Sequence, residues 1–162
     1  MTEESDYVVF LPGFDPAAFR AFADAMPLEP VRNVPEAGED YGELVWVTPD
    51  ERVALHLFSS ARLDLHYVWI HGYDILPWQV GVGSRFLALT CQLALEHLRD
   101  AKSDSETIAA LHRLGLFHHD DDQIRGALLS RCTPAEPVAV RCAALAALAM
   151  KGASGALQHV AG

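Results

Sequence analysis

Apolar and polar positions change their period partway along the chain, and the change divides it in two. The first third alternates short apolar runs with one amphipathic segment. YVVFL (7–11) is β-branched and aromatic and ends at Pro12-Gly13, which predicts a strand. Residues 15–26 place Phe19, Phe22, Ala23 and Met26 on one helical face, with Asp15 as N-cap and Pro16 in the first turn. Pro27 and Pro30 stop that helix, and residues 32–43 read as a loop. Three strands follow as a meander over 43–48, 52–58 and 63–70, turned by PDE and SSAR. The outline is β-α-β-β-β.

From about residue 84 the period becomes helical. Residues 84–100 are apolar on nearly every side and read as one buried helix with Ser84 as N-cap. Further helices are expected over 104–114, 121–131 and 137–150, with a short tail near 154–161. Such lengths suit antiparallel helical hairpins. The expected fold class is α+β. An acidic unit over 1–78 with a β-meander packs against a helical unit over 79–162, or the two form one continuous domain.

An echo runs through the helical part. IAALHRLG (108–115) returns as LAALAMKG (145–152), 37 residues later, a period typical of helical repeats. The glycine closing each copy is expected to end its helix in a left-handed cap. PVAVRCAALAALAMKG (137–152) resembles the second helix of HEAT-like repeats at Val140, Arg141, Ala144, Ala147 and Leu148, with DDDQIRGALL as its partner helix. The resemblance covers about 104–162 and implies a protein-binding scaffold without catalysis.

A second resemblance competes. QVGVGSRFLA (79–88) is similar to motif A of the GNAT acetyltransferases, in which a glycine turn opens a helix and cradles the coenzyme A pyrophosphate. It implies an acyl-CoA-dependent transferase with Gly81, Gly83 and Ser84 at the pyrophosphate. The chain departs from that family at Trp78, where Gln or Arg is usual, and at His112, where a tyrosine is usual. Between Leu98 and Ser105 it also lacks the required apolar strand. The alternative reading is a tight glycine lead into a buried helix.

Charge narrows the partners. The net charge is −10, and residues 1–50 hold eleven acidic and only two basic side chains. Such a unit repels nucleic acid and anionic membrane and suits a basic protein surface. No apolar run approaches the length of a membrane span, and MTEESDYVVF lacks the blocks of a signal peptide, so a cytoplasmic location is expected. Cys91, Cys132 and Cys142 match no zinc or redox spacing and read as buried reduced thiols.

Candidate chemistry is sparse. No G-x-S-x-G, H-E-x-x-H or paired C-x-x-C occurs. FHHDDDQIR (117–125) reads as an inter-helix turn whose aspartates cap the next helix, because adjacent turn residues diverge too much to converge on a metal. A four-residue hairpin loop pairs His56 with Leu65, which puts His66 on the opposite face, and His71 ends the third strand of the meander. These histidines read as satisfied or surface residues. Tyr67, Trp69, Tyr73 and Trp78, at the end of that strand and in the irregular segment after it, read as interface anchors or as core where a sheet meets helices.

The expected function is a non-catalytic acidic protein-binding module of the bacterial immunity type, which blocks a toxin or effector. It needs no catalytic residue, no cofactor and no metal. The expected partner-binding residues are Glu36, Glu39, Asp40, Tyr41, Tyr73, Trp78, Asp120, Asp121 and Asp122. A homo-oligomer is left open.

Overall fold

The computed structural model describes residues 2–34, 41–117 and 122–161, with side chains described except at 32–34, 41 and 152–161. The fold is α+β and divides into two compact units, Met1–Leu89 and Thr90–Gly162. The division falls eleven residues later than the 78/79 boundary expected from the sequence.

The N-terminal unit is built on a five-stranded antiparallel sheet: β1 (Glu4–Val9), β2 (Glu29–Val34), β3 (Tyr41–Val47), β4 (Val53–Ser60) and β5 (Leu65–Gly72), in the order β1-β5-β4-β3-β2. Strand β2 takes residues 32–34 of the loop expected over 32–43, and β3 takes 41–43; the rest of that loop lies outside the described residues. The β2 signal is hidden by Pro30, a residue that suits only an edge strand or a bulge. Both conditions hold, since β2 is the sheet edge and its register with β3 shifts between Pro30 and Arg32. The β4–β5 turn occupies 61–64, two residues beyond the expected SSAR turn. Asp64 adopts φ +47° there, and its carboxylate accepts the Gly13 amide.

Helix α1 (Pro16–Ala25) forms as its sequence predicts. The Asp15 carboxylate accepts the Ala17 amide, and Phe19 and Ala23 are buried, with Phe22 and Met26 packed beside them. They meet the apolar face of the sheet, where Trp46, Leu55, Leu57, Val68 and Ile70 are buried. Rings dominate this core. Phe10 stacks on Phe14 at 4.1 Å, and Phe86 lies within 6 Å of Phe10, Phe14, Phe19 and Phe22. The Trp46 indole donates to Asp24, tying α1 to β3.

The long helix expected over 84–100 is two helices. Helix α2 (Leu76–Arg85) ends at Phe86, and α3 (Cys91–Asp100) begins after Thr90, whose hydroxyl accepts the Leu93 amide. Between them the chain is extended beside β1: Leu11 donates to Leu87, Leu89 donates to Val9, and Phe10 bridges Ala88. Ser84 is therefore no N-cap. It sits in the last turn of α2 and its hydroxyl donates to the Gly81 carbonyl.

In the C-terminal unit α3 is followed by α4 (Asp104–Gly115), α5 (Asp122–Ser130) and α6 (Val138–Ala161). Ser103 caps α4 by accepting the Glu106 amide, and Glu106 accepts the Lys102 amide in return. Helix α6 runs without a break through the expected stop at 151–152. The two halves of the sequence echo, α4 and α6, pack on each other. Gly115 is not a left-handed cap: it is the last residue of α4, and a Cβ there would lie 3.0 Å from both the Cα and the Cβ of Ala147. The glycine is there for close helix approach. Lys151, buried on α6, donates to the Phe117 carbonyl just past α4. Of the three thiols, all free, Cys91 and Cys132 are half-buried and Cys142 is exposed. The expectation of burial is met fully by none of them, and least by Cys142, because α6 turns Val140, Ala143, Ala144 and Ala147 inward instead.

Candidate functional site

At one end of the sheet the chain turns twice in tight quarters. The β3–β4 turn carries Thr48, Asp50, Glu51 and Arg52, with Glu51 at φ +57°. Thr48 donates to the Asp50 carboxylate at 2.6 Å and accepts the Val53 amide, while Asp50 also accepts the Arg52 amide. These hydrogen bonds, the Thr48 hydroxyl first, hold the Asp50 carboxyl below its ordinary pKa. Beside it β5 ends at Gly72, with φ +136°. A Cβ there would stand 2.0 Å from the Arg52 carbonyl oxygen, so only glycine fits. The next amide, of Tyr73, donates to that same carbonyl at 2.9 Å. Asp74 follows at φ +58°, and α2 starts two residues later.

This corner opens a cleft of about 720 Å³ lined by Pro27, Pro49, Pro77, Tyr73, Trp78 and Val53, with Thr48, Asp50, Arg52 and Asp74 at its polar positions. Tyr73 is 37% exposed and lies under the Arg52 guanidinium, 5.8 Å from ring centre to carbon. Trp78 is half-buried, with one side against the core. The cleft therefore offers two aromatic rings and flat proline surface beside two carboxylates and the Arg52 cation. Such a lining suits a side chain with an apolar stem and a cationic head.

Of the nine partner-binding residues expected from the sequence, Tyr73 and Trp78 come together here. Glu36, Glu39, Asp40, Asp120 and Asp121 lie outside the described residues, as do His118 and His119 of the FHHDDDQIR stretch. Tyr41 begins β3 opposite Ser60, and Asp122 is exposed at the start of α5. Sequence reasoning missed Asp50, Arg52 and Asp74. The PDE turn was visible, but nothing linear tied it to residues 72–78.

The glycines of the coenzyme A resemblance are placed differently from that motif. Gly81 and Gly83 are the sixth and eighth residues of α2, past the first turn whose amides are free to bind a phosphate. The expectation that they open a helix is corrected: Leu76 and Pro77 open it, and both glycines lie inside.

The other face of the sheet carries a row of ionisable side chains. His56 Nδ1 is 2.8 Å from Glu43 Oε1, His56 Nε2 is 2.9 Å from His71 Nε2, and His71 Nδ1 is 3.8 Å from Glu3 Oε1. Register explains the contact. His56 pairs with Trp69, which makes His71 its diagonal neighbour on the same face. Trp69 stacks on His71 at 4.0 Å, and Tyr7, Phe58 and Tyr67 continue the row of rings. Burial lowers the His71 pKa, the nearby His56 adds to the effect, and Glu3 opposes it. Burial raises that of Tyr7. His66 is on the opposite face, as expected, buried beside Phe14 with Nε2 3.3 Å from Asp64.

Among the described residues, no group of three or more His, Cys, Asp and Glu side chains is placed to hold a metal. No described helix is long and apolar enough to cross a membrane. No family model, no curated protein and no solved structure matches the chain.

Proposed function

We propose that the chain is a non-catalytic, acidic, cytoplasmic protein-binding module that takes a basic surface of its partner, in the manner of an immunity protein covering a toxin or effector. The observation that carries this reading is the cleft in which Tyr73 and Trp78 meet Asp50 and Asp74. Aromatic anchors set in a formed cleft are the usual energetic centre of a protein interface. A lysine or arginine of the partner enters with its stem along Pro49, Pro77 and the rings and its charge toward the carboxylates. The acidic excess of residues 1–50 speeds encounter with such a partner and makes the rate sensitive to salt. The HEAT-like resemblance of the C-terminal helices belongs with the same scaffold reading.

The test is capture of the product of the neighbouring gene, followed by calorimetry on the purified pair. Tyr73→Ala, at a partly exposed ring, is expected to weaken binding by about 2 kcal/mol or more. Reversing Asp50 and Asp74 to lysine is expected to slow association and flatten its salt dependence. A pair that binds equally well with all three residues changed rules out the cleft. Charge reversal at Glu36, Glu39 and Asp40 tests separately whether the acidic segment takes part.

A further inference from the structure

The row Glu43–His56–His71–Glu3 brings two imidazole nitrogens together at its centre. The carboxylate of Glu43 draws the proton of His56 onto Nδ1, and Glu3 stands on the Nδ1 side of His71. The two Nε2 atoms are only 2.9 Å apart, so either one ring carries its proton on Nε2 and donates it to the other, or a cation sits between them.

We propose that His56 and His71 bind a divalent transition-metal ion through their Nε2 atoms, with Glu43 and Glu3 as the outer carboxylates that orient the two rings. Three observations support it. Metal–imidazole bonds of about 2.0–2.1 Å span about 2.9 Å between nitrogens at a right angle and about 3.3 Å at a tetrahedral angle, so the separation found here fits the first directly and the second after a small ring movement. A ligating histidine characteristically gives its other ring N–H to a carboxylate, and His56 does so at 2.8 Å. Both rings are also held in place while staying reachable: Trp69 stacks on His71 and lies 5.0 Å from His56, and the His56 and His71 side chains are 18% and 25% exposed. Paired imidazoles suit zinc, copper, nickel or cobalt and not magnesium or calcium. With two protein nitrogens, the remaining positions on the ion are open to water or to donor atoms of a small chelating ligand. The site is on a different face of the sheet from the core and is independent of the cleft reading.

The experiment uses the tag-free full chain, stripped with a chelator, titrated with Zn²⁺ by calorimetry and with Cu²⁺ by tryptophan fluorescence. Saturable uptake of one ion per chain, with quenching of Trp69 by Cu²⁺, is the expected result. His56→Gln and His71→Gln are each expected to abolish that uptake. Glu43→Gln, which leaves both ligands in place, is expected to weaken it by about tenfold to a hundredfold. Should either histidine variant fail to fold, Glu43→Gln and the loss of the imidazole Nε2 resonances on adding Zn²⁺ to the wild-type chain still decide the matter. His118→Gln with His119→Gln is expected to change nothing. The proposal is overturned if Zn²⁺ leaves the His56 and His71 resonances unmoved up to millimolar concentration while they still share a proton. It is equally overturned if uptake survives in the His56 and His71 variants or disappears with His118 and His119.

Discussion

Phe10, Phe19 and Trp46 fill the core of the N-terminal unit, whereas Ala109, Ala110, Ala143, Ala144 and Ala147 lie at the same depth in the C-terminal unit, among Leu111, Leu114, Ile124 and Leu128. The two units solve the same problem of excluding water in opposite ways. A sheet and a helix stand about 10 Å apart, a gap that large rings fill. Helices that meet through alanine and glycine come closer and gain their contacts from backbone and Cβ atoms. The first core is thus sensitive to lost volume and the second to added volume.

The largest expected effect tests the first half of that contrast. Phe19 is fully buried and touches rings on every side, so Phe19→Ala is expected to cost about 3–5 kcal/mol. Chemical denaturation followed by tryptophan fluorescence measures it; a loss under 1 kcal/mol would show that the aromatic cluster is loosely packed. Next comes Gly72→Ala, where a Cβ meets the Arg52 carbonyl in a backbone conformation that disfavours side chains. Strain alone accounts for about 1–3 kcal/mol there. Because Tyr73 hangs on the Arg52 carbonyl, partner binding at the cleft is expected to fall with it.

The second unit breaks the other way. Gly115→Leu forces a side chain into Ala147 and is expected to cost about 1–3 kcal/mol, while Ala147→Gly, which removes one small group, costs less. If Gly115→Leu proves neutral, α4 and α6 do not need their close approach, and the contrast between the units collapses. Ser103→Ala removes the α4 N-cap and is expected to cost about 1 kcal/mol, read as a lower denaturation midpoint.

How far these features were legible follows from the kind of signal each leaves. Helix α1 was readable to its cap because Asp15, Pro16 and the period of Phe19, Phe22 and Ala23 are all local. Strand β2 was not, because a proline argues against a strand unless the strand is known to be an edge, and edges are tertiary facts. Helix α2 was lost for a similar reason: Gly81 and Gly83 are poor helix formers, and what keeps them helical is burial of Val82 in the core. The glycine of the 108–115 echo was noticed but misread, since nothing linear separates a capping glycine from one that admits a neighbouring helix. At the site, Tyr73 and Trp78 stood out by composition. The meeting of His56 with His71 needed a register, and a hairpin loop misplaced by two residues concealed it.

The smallest expected effect sharpens the comparison between the two faces of the sheet. The core face holds apolar side chains, apart from His66, whereas the other face holds the ionisable pair. The fold lowers the pKa of His71 from its ordinary 6.5, chiefly by burial. Below that value the unfolded chain binds more protons than the folded one, so stability rises with pH through this window. The contribution is complete above about 6.5 and is lost as the pH falls through the depressed value. Chelator-treated protein is therefore expected to denature more easily at pH 5 than at pH 7, and His71→Gln to flatten part of that slope. The difference between the two slopes isolates His71 from the seven other histidines. A variant whose slope matches the wild type would mean that His71 is as well solvated in the folded chain as in the unfolded one. The polar face would then be an ordinary wet surface, with no ordered pair of rings on it.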